Sequence, residues 1–432
     1  MKVFQNKEKF NILKWLDVIF LSCIINMNLL RFIFNIYDTS IILYGIYFLY
    51  IILSLYKNIK LQKTLSFHKN STQLNLLLTV ILIIVSICSA FIYGRQAVSS
   101  SIKFFIAIII AVMAYYMSLN EIKLTIKTTI IFNIAYCFII VLSPQTAFNY
   151  MEQGGLGTNY LTMTLTIGLT STIALIYCFY GLFYSTDIRK WLLFFAITIL
   201  SFFAMMKFAA RGPIVLPILS ACLIFILMAK NNKSKFILAF VIIIIFGIFA
   251  FQIFRLYADS YLIKRLLSLF SNIGGEERIT VWLEYLNLIK DKSFYIFGGG
   301  TGSAEYYTGY YPHNIYLQLL GEFGLLGIII AIIFSSKVLI SIRNCNNQIG
   351  QIYDGNCNKE QKNVRCLFYI VLGGFLYYLL TFMKSFTLYD SCPLLVFMAF
   401  IFRLNYDIKK YKYFSKINLQ SQVKKQEVRA NV

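Results

Sequence analysis

Three side chains stand where this chain can do polar chemistry. Arg211 lies in FAARGPIVL between two apolar runs, and Arg278 follows Glu276 and Glu277 in GGEERITVW. His313 precedes Asn314 at the start of a further apolar run. Arg211 is followed by Gly212-Pro213, a pair suited to the first turn of a helix. A guanidinium beside a helix N-terminus offers a planar fork together with oriented N–H groups, which suits an anion. Arg278 opens a segment in which Trp282, Tyr285, Leu286 and Ile289 recur at helical spacing. A cation at a helix start opposes the macrodipole, so Arg278 calls for an anionic partner. Either a neighbouring glutamate or a substrate phosphate satisfies that need. An imidazole accepts a proton near neutral pH, so His313 is a candidate base. A lone histidine can equally be structural. Between Arg278 and His313 lies FGGGTGSAEYYTGYYP, where Gly298, Gly299, Gly300 and Gly302 allow positive φ and close backbone approach. Asn314 fits the N-cap of the helix that follows. The tyrosines of this stretch suit an interfacial belt or stacking against sugars.

The elements that must hold these residues are membrane spans. Of 432 residues, 59% are hydrophobic and 13% charged, where a soluble domain carries about 25% charge. Apolar runs recur along the whole length, and a run of about 20 residues crosses a bilayer as a helix. These runs are too continuous for barrel strands. The chain therefore reads as an all-α polytopic integral membrane protein. Its net charge of +22 follows from basic residues flanking spans, so nucleic acid is not an expected partner.

The pattern predicts about twelve spans of bilayer length. They lie near 15–34, 40–56, 74–93, 102–119, 124–142, 159–183, 190–206, 212–229, 236–254, 314–336, 366–383 and 389–404. If the N-terminus is cytoplasmic, most of the 40 Lys and Arg fall on cytoplasmic segments, Lys14 and Lys57 among them. That asymmetry places both termini in the cytoplasm. Residues 1–254 then form a first membrane domain with nine spans, 255–313 one long external loop, 314–404 three further spans, and 405–432 a basic cytoplasmic tail. The external loop is expected to hold short amphipathic helices, Leu256–Phe270 and the one begun at Arg278. Asn344–Asn363 reads as a polar cytoplasmic loop, with Cys345, Cys357 and Cys366 as free thiols. The spacing of these cysteines lacks the paired form of a zinc site, and no Walker motif is present. No metal and no nucleotide cofactor is expected.

Basic residues on the outer face oppose the orientation rule. Lys103 and Lys207 read as snorkelling side chains, whereas Arg211, followed by Gly-Pro, reads as functional. Gly321, Gly324 and Gly327 would let helices pack closely.

At these residues the sequence resembles the O-antigen ligase and polymerase family. The matching pieces are Arg211-Gly212, RITVW from Arg278, FGGGTG from Phe297, and HNIYLQLLGEFGLLG from His313. GGLGTNYLTMTL from Gly154 is a weaker one. The resemblance implies a GT-C-like, metal-independent, inverting membrane glycosyltransferase in the bacterial cytoplasmic membrane, acting on undecaprenyl-diphosphate-linked glycans at its outer face. Arg211 and Arg278, with Arg95, would hold the diphosphate, and His313 would deprotonate or orient the acceptor hydroxyl. Glu276, Glu277, Asn314, Gly300 and Gly302 would line the substrate site, with Glu276, Glu277 and Glu305 as rival bases. A Wzy-type polysaccharide polymerase is the favoured form, an O-antigen ligase the alternative, and a lipid-linked-sugar flippase the reading from another class. A flippase and a chain-length regulator of the same pathway are the expected protein partners.

Overall fold

The computed structural model describes residues 12–27, 41–62, 92–93, 95–142, 157–184, 187–207, 211–229, 237, 241, 277–292, 294–353, 359–383 and 387–410. The expected spans 74–93 and 236–254, the helix Leu256–Phe270, Glu276, Cys357 and the basic tail beyond residue 410 lie outside them, wholly or in most part. The side chains of Arg95, Arg211, Glu277 and Arg278 also lie outside this description, although their backbones lie within it.

The described residues are helical, with no strand among them. The helices are α1 (Ile12–Ile25), α2 (Ile41–Gln62), α3 (Arg95–Tyr115), α4 (Leu119–Leu142), α5 (Gly157–Tyr184), α6 (Ile188–Lys207) and α7 (Arg211–Ala229). After these come α8 (Glu277–Asp291), α9 (Ser303–Thr308), α10 (Ile315–Tyr353) and α11 (Lys359–Phe382). A 3-10 turn over Leu388–Asp390 precedes a closing helical segment, residues 392–410. Six of these helices are long and apolar enough to cross a membrane, and α7 is a shorter apolar one.

The bundle centres on α5, which packs against α4, α6, α7 and α11. Its face toward the core carries Ile167, Leu169, Ile173 and Ile176, all buried. Small residues let neighbours approach: Gly168 lies against the Tyr377 ring of α11, and Gly373 of α11 lies against Ile176. In lipid, apolar surface alone does not draw helices together, so such close backbone approach is what holds them. The Tyr377 hydroxyl caps the contact by donating to the Leu165 carbonyl. On the outward faces of α4, α6 and α7, large apolar side chains such as Ile131, Ile139, Phe203 and Leu223 remain exposed, as a surface facing lipid requires.

Several expectations need correction. The polar stretch after residue 343 is not an open loop: α10 continues to Tyr353 and α11 begins at Lys359. The segment NCNNQIGQIY contains no proline, so nothing interrupts the backbone ladder there. Cys345 is accordingly buried in the core. Lys14 and Lys57 are buried too, because each lies on a helix face turned inward rather than on a loop. On α8 the buried residues are Tyr285 and Ile289, while Leu286 is largely exposed.

Candidate functional site

The polar break resolves into a short, heavily bonded assembly at the N-terminal end of α10. Asn314 caps that helix: its side-chain Oδ1 accepts the N–H groups of Tyr316 at 3.0 Å and Leu317 at 3.2 Å. The expected N-cap is thus present, and it satisfies two donors that an open helix end leaves without partners. His313, one residue earlier, is exposed and holds φ of 50°. A non-glycine residue in that region is uncommon and carries strain, and such strain gathers at functional positions.

Nine residues into α10 the helix breaks. Gly324 sits at φ 59°, ψ −149°, a combination open essentially to glycine alone. A regular helix would join Leu325 N–H to the Gly321 carbonyl and Leu326 N–H to the Glu322 carbonyl. Neither bond is made. Leu325 N–H donates to Tyr295 O at 2.7 Å and Leu326 N–H to Ile296 O at 3.4 Å. The vacated carbonyls accept from the same loop: Gly299 N–H donates to Gly321 O at 2.7 Å and Gly300 N–H to Glu322 O at 2.8 Å. The glycine-rich loop is spliced into the helix, and two bonds of the ladder give way to four.

The glycines make this contact possible. Gly298, Gly300 and Gly302 all have positive φ, and a Cβ on Gly298 would collide with the Glu322 backbone. Gly321 lies against the Tyr285 hydroxyl, and Gly327 folds back on Leu319 and Phe323. The positive φ expected of the loop glycines is present at Gly298, Gly300 and Gly302, and Gly321 packs on α8 as expected, whereas Gly324 serves the kink rather than packing between spans.

Two residues of the assembly escaped the sequence reading. Glu322 and Gln318 are both fully buried. The Glu322 Oε1 accepts the Gly302 N–H at 3.2 Å and the Gln318 side-chain N–H at 3.3 Å. Gln318 in turn accepts the Leu388 N–H at 2.7 Å through its Oε1. The pair thus ties the loop to α10 and α10 to the 3-10 turn. The signal was available: a carboxylate four residues after a glutamine inside an otherwise apolar run marks a functional position by default.

Neighbouring helices bring further candidate residues toward this assembly. The Trp282 indole N–H donates to the Pro312 carbonyl at 2.7 Å, so Arg278, one helical turn earlier on α8, starts close to the His313 segment. Gly302 backs onto Ala97 of α3, where an added Cβ would stand 3.0 Å from the alanine Cβ. The N-terminus of α3, which begins at Arg95, therefore lies behind the loop. Ser100 of α3 also meets the Tyr311 hydroxyl at 3.5 Å. Burial raises the Tyr311 phenol above the usual tyrosine range, and a hydrogen bond to Glu305 adds to this. Arg211 opens α7, which packs on α5 and α11. Tyr306 and Tyr307 of α9 form an aromatic group with Tyr93, with ring centroids 5.3 and 6.1 Å away. Lys292 lies 5.0 Å over the Tyr307 ring.

A kinked helix with a strained histidine at its mouth, flanked by two arginine-headed helices, is the arrangement to compare with known families. Residues 196–332 match the family model described as O-antigen ligase. The match runs from the middle of α6 to near the middle of α10, so it takes in Arg211, Arg278, the glycine-rich loop, His313 and Glu322. It supports the resemblance to the O-antigen ligase-like family, whose members are glycosyltransferase-like enzymes of the ligase and polymerase type. No curated protein matches the chain.

Proposed function

We propose that this chain is a membrane-embedded, inverting glycosyltransferase that polymerises undecaprenyl-diphosphate-linked repeat units at the outer face of the bacterial cytoplasmic membrane. The observation that carries the reading is the Trp282–Pro312 bond. It ties the arginine-headed helix α8 to the strained His313 at the mouth of α10. The O-antigen ligase match over the same residues supports it.

In this reading Arg278 and Arg211, with Arg95, hold the lipid diphosphate. Its two phosphates take bidentate, charge-assisted hydrogen bonds, and those bonds strengthen as the leaving group gains charge. His313 takes the proton of the acceptor hydroxyl. The new C–O bond forms on the face opposite the breaking C–O bond to phosphate, and the diphosphate departs with that electron pair. The anomeric carbon is inverted. Gly300 and Gly302 let the loop backbone seat on Glu322 as one wall of the sugar site, and Asn314 fixes the backbone that carries His313. Glu276 and Glu277, which precede Arg278 in the sequence, line the substrate site in this reading. The diphosphate linkage supplies the driving force.

Reconstitution of the purified protein with a lipid-linked repeat unit tests the proposal. A ladder of products is the expected result. Transfer of a finished glycan to a different acceptor would make the chain a ligase. Bilayer crossing without transfer would overturn both. His313→Ala in a protein that remains monodisperse should lower transfer by at least about 100-fold, the usual share of a general base. Arg278→Lys should keep part of the activity that Arg278→Ala loses, because lysine retains the charge without the fork.

A further inference from the structure

The turn that leads into the glycine-rich loop presents three large apolar side chains in a row to its surroundings. Tyr295, Ile296 and Phe297 are 52, 60 and 77% exposed. Apolar surface gathered in this way marks a place of contact.

The splice fixes where the turn sits. The Tyr295 and Ile296 carbonyls accept the Leu325 and Leu326 N–H groups, so the turn lies against α10 at its kink. The surroundings of α10 change at the same point. From residue 315 to residue 324 none of its residues is exposed, whereas beyond the kink Leu325, Ile329 and Ile332 are. These three recur at i, i+4, i+7, so they form one stripe. An open apolar stripe on a helix of bilayer-spanning length and hydropathy faces acyl chains.

Length and charge locate the edge of the hydrocarbon. α10 has 39 residues, about 58 Å at helical rise, against a layer of about 30 Å. Only part of it can lie in that layer. The stretch from Leu325 to Arg343 covers about 27 Å, and Lys337 within it reaches the far surface by its flexible stem. A layer that began at residue 315 would instead put the kink near mid-bilayer. Asp291 and Lys292, both exposed and just ahead of Tyr295, would then be drawn into hydrocarbon, which is costly for charge. The edge at the kink leaves both in the interface. Lys292 over the Tyr307 ring suits that level, where aromatic and basic side chains anchor membrane proteins. Backbone that meets lipid must be bonded within the protein, and the carbonyls of Tyr295 and Ile296 already are.

We propose that the Tyr295–Phe297 turn is a membrane wedge. Ile296 and Phe297 enter the acyl region of the leaflet beside the candidate site, continuous with the Leu325–Ile329–Ile332 stripe. The part of α10 before the kink then stands outside the hydrocarbon and holds His313 roughly 15 Å beyond its edge along the helix. Phe297→Trp in the full-length protein, reconstituted in phosphatidylcholine nanodiscs, tests this. The emission it adds to that of the wild-type protein is compared between ordinary lipid and lipid brominated along its acyl chains, and then titrated with acrylamide in the water. A wedge predicts added emission that is shifted to the blue, largely lost in brominated lipid and little changed by acrylamide. Asp291→Trp gives the reverse pattern. Ile296→Trp serves if the first variant does not fold. Added emission that acrylamide quenches and bromine spares overturns the proposal, the turn then lying in water. Emission that neither quencher reaches overturns it too, since protein then covers the turn. Loss of the Asp291→Trp emission in brominated lipid overturns the placement of the edge at the kink.

Discussion

Glu322 carries a carboxylate into a helix otherwise composed for lipid, and its reach decides what the glycine-rich loop can do. Replacing it with alanine leaves the Gly302 N–H and the Gln318 amide without their acceptor, a loss of about 1–3 kcal/mol for a buried donor. Glu322→Ala is therefore expected to lower the unfolding midpoint and to cut glycan transfer. Glu322→Gln keeps an acceptor in place and should retain most of both, as paired melting and transfer assays would show. Two buried tyrosines make the same region sensitive to alkali. Burial, with the nearby Glu322 charge, holds the Tyr285 phenol well above its ordinary value of 10.0, and burial with the Glu305 bond does the same for Tyr311. Above about pH 10 the unfolded chain has released these protons and the folded chain has not. Stability is therefore present below that pH and falls as pH rises through it. Tyr311→Phe should soften the fall, measured as the midpoint from about pH 8 to about pH 11. At this scale the sequence showed which types mattered. The Asn314 cap and the positive-φ glycines were legible from the sequence, but the partners of Glu322 were not, since they come from residues 302 and 318 across a fold that spacing does not specify.

The elements explain why position along the chain misled in places. Apolar runs located α5 to α7 to within two residues, whereas α3 and α4 begin seven and five residues before the expected spans, through polar residues that the helices include. The kink in α10 left no such trace: HNIYLQLLGEFGLLG reads as a continuous span, and Gly324 looks like a packing glycine. Its role depends on a loop that arrives from residues 295–300. Gly324→Ala would place a side chain against the Ile296 carbonyl in a conformation that L-residues avoid. That substitution should abolish transfer and release the loop, seen as new protease cleavage between residues 294 and 302 of a protein that still inserts. Gly309 also has positive φ but has open space around it, so Gly309→Ala should cost far less in the same assay.

For the whole molecule, composition alone was enough to place the chain in a membrane, because so little charge leaves no soluble alternative. The six candidate spans agree with that class. Basic flanks predict cytoplasmic termini. A C-terminal green fluorescent protein fusion should therefore fluoresce and an alkaline phosphatase fusion at the same point stay silent, the reverse pattern overturning the orientation. The flank rule also absorbed Lys57, since a count of charges cannot tell a loop lysine from one drawn inward by two carboxylates, Asp17 and Glu121, on other helices. The spliced helix sets how such a molecule opens. Each half of the splice supplies the acceptors for the other half's donors, so neither can detach alone without leaving backbone groups bare. The amides of Gly299, Gly300, Leu325 and Leu326 form a single exchange unit. They should trade hydrogen for deuterium with one common opening free energy, although they lie on two segments about 25 residues apart.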